Sequence, residues 1–281
     1  MQNVDRKVAV ITGAASGIGF AMARRFGADG MRLVLADIEA AELERASDEL
    51  RASGIDVVSV VTDVSDGAQV DALGQAALDA FGAVHVVCNN AGVGGGGSME
   101  TLTTADWQWV LGVNLWGVIH GMRVFLPMLL EQGEGHIVNT ASVAGLFASP
   151  FMGPYNASKF AVVAISETTF NELAMTGSEV GISVLCPSWV TTRIHESHRN
   201  RPDELRNDSG DVGAEVDVTM AGIIAGFIEG GMSPEDVATH VAEAVAEKRF
   251  YILTHPDSKA AVSARMNAIL DETSPPMMMP S

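Results

Sequence analysis

Short runs of apolar, β-branched residues recur along this chain. Each is followed by a longer stretch in which apolar positions return every three or four residues. The runs KVAVIT (7–12), RLVLAD (32–37), DVVSVV (56–61), VHVVCN (84–89), GHIVNT (135–140), GISVLC (181–186) and FYIL (250–253) predict strands. The intervening periodicity predicts helices near 17–29, 39–53, 66–81, 104–131, 154–176 and 234–247. Strands that are apolar at almost every position are buried on both faces, as in a parallel sheet covered by helices. Alternation of this kind predicts an α/β fold: a doubly wound, seven-stranded parallel sheet of Rossmann-like form with right-handed crossovers. No linker interrupts the pattern. Residues 1–255 are therefore expected to form one domain, with an insert at 190–230, followed by a C-terminal tail at 256–281. The end of that tail, SPPMMMPS, is expected to fray.

With 281 residues, 47% of them hydrophobic, the chain can bury a large core. A formal net charge of −18 without a basic cluster argues against nucleic acid or an anionic membrane as partner. Cys88 and Cys186 each end an apolar run, which fits buried strand thiols and a reducing, cytoplasmic setting rather than a disulfide scaffold. The later apolar run at 218–228 is too short to cross a bilayer.

TGAASGIG (12–19) lies between a predicted strand and a predicted helix, the context in which a glycine-rich motif cradles a phosphate. Gly13 permits the tight turn. Gly17 and Gly19 allow backbone to approach a pyrophosphate and helix to pack on strand. The helix N-terminus supplies N–H groups and a partial positive charge. Asp37 ends the second strand and is placed to accept hydrogen bonds from ribose hydroxyls. A 2′-phosphate about 4 Å from that carboxylate would be repelled by about 4 kcal/mol before screening. Ser16 and Ile38 stand where an NADP-binding chain would offer a cation, so NAD is expected over NADP. The alternative is that Asp37 caps the next helix. Asp63, followed by Val64, is in place to meet an adenine edge or to make a turn.

YNASK (155–159) holds one of two tyrosines and one of four lysines, one helical turn apart. Residues i and i+4 share a helix face. An ammonium about 5 Å from a phenol favours the phenolate by about 3 kcal/mol. Tyr155 is thus expected to be made acidic by Lys159 and to exchange a proton with an alcohol or ketone oxygen. The plain alternative is a packed tyrosine beside a snorkelling lysine.

Taken in order, TGAASGIG, NNAG (89–92), Ser142 and YNASK resemble the short-chain dehydrogenase/reductases, over residues 5–255 and in the short, single-domain branch. The resemblance implies a catalytic set of Asn114, Ser142, Tyr155 and Lys159. Ser142 would hold the substrate oxygen, and Asn114 would distort its helix and support a proton-relay water. It also implies that Ile18, Val64, Asn90, Ala91, Gly92, Pro187 and Val190 lie along the cofactor. Thr192, or its neighbour Thr191, would meet the nicotinamide carboxamide, and Lys159 would reach the ribose. Ser188 stands where the family usually has glycine. The family's four-helix bundles between subunits imply a homodimer or homotetramer built on 104–131 and 154–176; the alternative is that those faces are covered within the monomer.

The substrate walls are expected from 93–99, 143–153 and the insert. Leu146, Phe147, Phe151, Met152 and Trp189 would make them apolar, which suits a hydrophobic alcohol or ketone. Arg193, Arg199 and Arg201 keep a polar substrate open, and a catalytically silent NAD sensor is a further alternative. His120, His195 and His198 have no metal-ligand spacing, so no metal is expected.

Overall fold

The computed structural model describes residues 4–207, 222 and 225–277. The central stretch of the insert, including GDVGAEVDV and most of the 218–228 run, lies outside the described residues, as does the end of the tail. Seven parallel strands run β1 (Val8–Thr12), β2 (Arg32–Asp37), β3 (Val57–Val61), β4 (Val86–Asn89), β5 (His136–Thr140), β6 (Gly181–Cys186) and β7 (Tyr251–Leu253). Their order in the sheet is β3-β2-β1-β4-β5-β6-β7. The chain order reverses between β1 and β4, so a crevice opens there at the carboxyl ends of the strands.

The strand pleat divides the core in two. Ala9, Ile11, Leu33 and Leu35 pack on one face with Met22 and Phe26 of α1 (Gly17–Ala28). Val8, Val10, Val34 and Ala36 pack on the other with Val70 and Leu73 of α3 (Gly67–Phe81). Alternation with period two on strands buried from both sides produces this split. α2 (Ala40–Ala52) follows β2.

The long helical run after β4 is not one regular helix. α4 (Thr104–Leu111) passes through a π-helical segment, Gly112–Trp116, into α5 (Gly117–Gln132). α4 starts from a capping box between Thr103 and Asp106. By length and composition alone, Thr104–Gln132 could cross a membrane. Here Val118, Phe125 and Leu129 are buried in the core on the α3 side of the sheet.

α6 (Gly153–Thr176) carries YNASK, with Pro154 in its first turn. α7 (Pro234–Glu247) returns to the α1 side and is started by Ser233, whose side chain accepts from Asp236 N. The chain then departs from the expected tail: Ser258–Leu270 forms a helix, α8. Of its residues only Ser258 is buried, so there is little amphipathic pattern to signal it.

Candidate active site

β1 ends at Thr12, whose hydroxyl accepts from Asn90 N at 2.9 Å and Ala91 N at 3.0 Å. Asn90 Nδ2 donates back to Thr12 O at 3.0 Å. These bonds tie the NNAG segment to the glycine-rich turn. Gly13 has φ +64, and a Cβ there would lie 2.8 Å from Ala91 Cα, so both the backbone and the space require glycine. α1 begins at Gly17 behind Ser16, and no side chain caps it. Its first N–H groups are left for an anion.

Asp37 Oδ2 accepts from Ala15 N at 3.0 Å and Oδ1 from Glu39 N at 3.1 Å. Burial pushes its carboxyl above the ordinary range, and these backbone bonds pull it partly back. The N-cap of α2 is Glu39, not Asp37, so the capping alternative for Asp37 is not the one the fold uses.

A cavity of about 510 Å³ runs from this end to Tyr155. Gly13, Ser16, Gly17, Ile18, Asp37, Ile38, Asp63, Val64, Asn90, Ala91, Gly92, Pro187, Val190 and Thr192 line it, together with Ser142, Tyr155 and Lys159. Gly19 and Asn114 are not on the wall. A Cβ on Gly19 would collide with the Gly13 carbonyl oxygen and lie 2.7 Å from Asn90 Nδ2, so Gly19 serves packing of helix against turn. Asp63 lies on the wall yet makes a turn, its Oδ1 accepting from Ser65 N at 2.9 Å. Thr192 faces the cavity, whereas Thr191 turns away and donates to Gly231 O.

Ser142 follows β5 directly. Its Oγ accepts from Ala144 N at 3.2 Å and donates to Pro187 O at 3.3 Å. Lys159 is 3% exposed, and its Nζ donates to Thr140 O at 2.9 Å. Nζ lies 5.5 Å from the centre of the Tyr155 ring.

The expectation that Lys159 makes Tyr155 acidic is not met by the protein on its own. Burial raises the Tyr155 phenol above 10, and a hydrogen bond with Ser142 only partly offsets it. The same burial pushes Lys159 down to about 8. Burial disfavours the charged form of both groups, an effect that sequence spacing does not reveal.

Asn114 sits in the π segment and is fully buried. Its Oδ1 accepts from Val93 N at 2.8 Å, and its Nδ2 donates to Val93 O at 3.0 Å. A Cβ on Gly92 would lie 3.3 Å from Asn114 Oδ1 and 3.7 Å from Lys159 Nζ, so both polar atoms border the same glycine. The expected helix distortion is therefore present, centred on this residue.

The apolar end of the cavity is made by Trp109, Val143, Phe151, Met152, Trp189 and Ile228. Phe151 holds φ +61, and its carbonyl accepts from Gly97 N at 2.8 Å. Trp189 stacks on Phe227 with ring centres 5.4 Å apart. Leu146 and Phe147, expected on this wall, are not part of it: Leu146 packs on the sheet core, and Phe147 is buried away from the cavity. Trp109 and Ile228 were not signalled in the sequence, because only the fold carries them to the mouth.

The insert also brings Arg193, His195, Ser197, Arg199 and Asn200 to the cavity wall, next to Glu39. Arg199 donates to Glu39 through Nε at 3.0 Å and also through Nη2.

The residue set fits a dinucleotide. An uncapped helix N-terminus lies at the mid-cavity turn, with a buried carboxylate at one end and a Ser-Tyr-Lys group at the other.

A family model described as short chain dehydrogenase matches residues 7–203. A solved structure of a short chain dehydrogenase/reductase from Burkholderia phymatum in complex with NAD is 49% identical. The match covers 100% of both chains, with a TM-score of 0.96. The C alpha-dehydrogenase of Sphingobium sp. strain SYK-6 is 34% identical, covering 98% of this chain and 89% of that protein. A variant of actinorhodin polyketide ketoreductase, solved with NADPH, is 29% identical with a TM-score of 0.75; the match covers 92% of this chain and 99% of that one.

Proposed function

The chain belongs to the short-chain dehydrogenase/reductase family, and on that premise we propose that it transfers a hydride between NAD and a hydrophobic secondary alcohol or its ketone. The observation that carries this reading is the convergence of Ser142, Tyr155 and Lys159 on the cavity that begins at Asp37. The complex of the Burkholderia phymatum relative with NAD supports the choice of cofactor.

Asp37 would accept from the adenosine ribose, and the first turn of α1 would hold the pyrophosphate. Lys159 would bind the second ribose, and Thr192 the carboxamide. Bound there, the nicotinamide supplies the hydride acceptor or donor. Ser142 donates a hydrogen bond to the substrate oxygen and orients it. In the oxidative direction the Tyr155 phenolate removes the hydroxyl proton as the carbinol carbon gives up its hydride. In the reductive direction the Tyr155 phenol returns that proton to the oxygen. The Tyr155 phenol starts high, so lowering it requires cationic charge in the cavity. With Lys159 at about 8, the ammonium form prevails at neutral pH and contributes part of that charge. Asn114 holds Val93 and the backbone beside Lys159 in place.

The pairing of the insert arginines supports an apolar substrate over the polar alternative. Arg193 pairs with Glu196, Arg199 with Glu39 and Arg201 with Asp106, leaving the apolar wall to select.

A screen at 340 nm tests the reading. Purified protein would meet NAD or NADP with bulky and small, apolar and polar alcohols. NADH should form with a bulky apolar secondary alcohol. Tyr155→Phe should lose at least about a hundredfold in turnover while still binding NADH. Full activity in that variant would refute the assignment.

A further inference from the structure

The turn from Ile194 to Asn200 touches the cleft on opposite sides. At its start, Thr192 packs against the glycine-rich turn, its Cγ2 lying 3.1 Å from where a Gly17 Cβ would sit. Ser197 Oγ accepts from Gly94 N at 3.0 Å, near the catalytic end. At the adenosine end Glu39 takes the opposite contact. Its Oε1 accepts from Arg199 Nε at 3.0 Å, from Arg199 Nη2 and from Asn200 Nδ2 at 2.8 Å.

Glu39 is itself joined to the ribose-binding position, because its N–H donates to Asp37 Oδ1 at 3.1 Å. Arg199 also closes the turn internally, donating through Nη1 to Glu196 O at 3.0 Å and Arg193 O at 3.3 Å. Just beyond, Arg201 pairs with Asp106 at 2.7 Å and lies over Trp109. The turn is thus anchored on α4 as well. Its side chains at 193, 195, 197, 199 and 200 form part of the cavity wall. A dinucleotide in that cavity would lie between this turn and the carboxyl ends of the strands.

We propose that Glu39, Arg199 and Asn200 form a clasp that holds the 194–200 turn over the adenosine half of the cleft and sets the rate at which the dinucleotide leaves. The clasp rests on the reading of the cavity as an NAD site. Glu39 and Arg199 are positioning residues: they act through the turn and not on the reacting atoms. Three donors converging on one carboxylate oxygen make a charge-assisted set. Both side chains are about three-quarters covered, at 22% and 27% exposure, so solvent screens them less than a surface pair. Burial works against the Glu39 carboxylate, but the bonds from Arg199 and Asn200 outweigh it and hold it ionised, below the ordinary range. The clasp therefore stays charged across neutral pH.

The test is stopped-flow NADH release from wild type, Glu39→Gln, Arg199→Met and the double variant, with KM for NAD and kcat measured alongside. Each single variant should release NADH about tenfold faster, in the range expected for losing one such contact. The double variant should release it no faster than the singles, because both remove the same interaction. KM for NAD should rise more than kcat falls. Raised ionic strength should speed release from wild type and leave Arg199→Met nearly unchanged. This comparison also serves if Glu39→Gln folds poorly. Release rates in both single variants within about twofold of wild type would overturn the clasp, as would effects that multiply in the double variant. Failure of wild type to bind NADH would overturn the cofactor reading and the clasp with it.

Discussion

Replacing Lys159 with methionine removes the ammonium and keeps most of the side-chain volume. An ordinary lysine titrates near 10.5; this one is brought to about 8 by burial. The fold therefore disfavours its charged form by about 3 kcal/mol. Below pH 8 the lysine is protonated in folded and unfolded chains alike, and the folded state bears the whole cost. Above about 10.5 it is neutral in both, and the cost is gone. Between these limits the unfolded chain binds more protons, so this group makes wild-type stability rise with pH.

Methionine removes the cost but also the bond from Nζ to Thr140 O, worth about 1–2 kcal/mol. The variant should be more stable than wild type at pH 7 by about 1–2 kcal/mol, or roughly 4 °C in Tm for a chain of this size. At pH 10 the advantage should vanish or reverse. Turnover should fall at least about a hundredfold at either pH. Thermal unfolding followed by circular dichroism at both pH values, with NADH formation in parallel, measures all of this. A Tm difference of the same sign and size at pH 7 and pH 10 would refute the buried-charge argument. Stability is given up here to place a cation beside Tyr155, and the experiment asks how much.

Two further predictions concern the cofactor end. Asp37→Asn removes a carboxylate from the cavity wall, where the proposed reading sets the adenosine ribose, and its single oxygen cannot take both the Ala15 N and the Glu39 N positions. The ratio of kcat/KM for NAD to that for NADP should fall by about tenfold or more, less than the roughly 4 kcal/mol of bare repulsion because solvent screens it; an unchanged ratio would remove Asp37 from cofactor choice. Gly19→Ala forces a methyl against the Gly13 carbonyl oxygen and Asn90 Nδ2. It should cost about 2–3 kcal/mol in unfolding and abolish NADH binding, and a variant with wild-type Tm and affinity would show that the helix start yields more easily than its packing implies.

The strands were legible because burial on both faces leaves an apolar residue at almost every position. Val8 and Val10 point one way, Ala9 and Ile11 the other, and none can be polar. α8 was missed for the opposite reason: a helix with almost no buried face carries no periodic signal. Leu146 and Phe147 were misplaced because an apolar residue in a loop can serve core or pocket, and hydrophobicity does not say which. The bond from Arg199 to Glu39 was not legible in the sequence, because nothing local links residues 160 positions apart.

The sequence by itself determined the sheet, the glycine turn, Asp37 at the end of β2 and the Ser142-Tyr155-Lys159 group. All but Ser142 rest on local rules: strand period, helix start, and the i to i+4 spacing of one face; Ser142 was placed by the family resemblance. Only the tertiary structure decided the charge balance between Tyr155 and Lys159, the π segment's grip on Val93, the makeup of the apolar wall and the bond between Glu39 and the distant insert. Those depend on desolvation and on contacts between remote segments. Both come into being when the chain closes on itself, and neither is written in the spacing of residues along it.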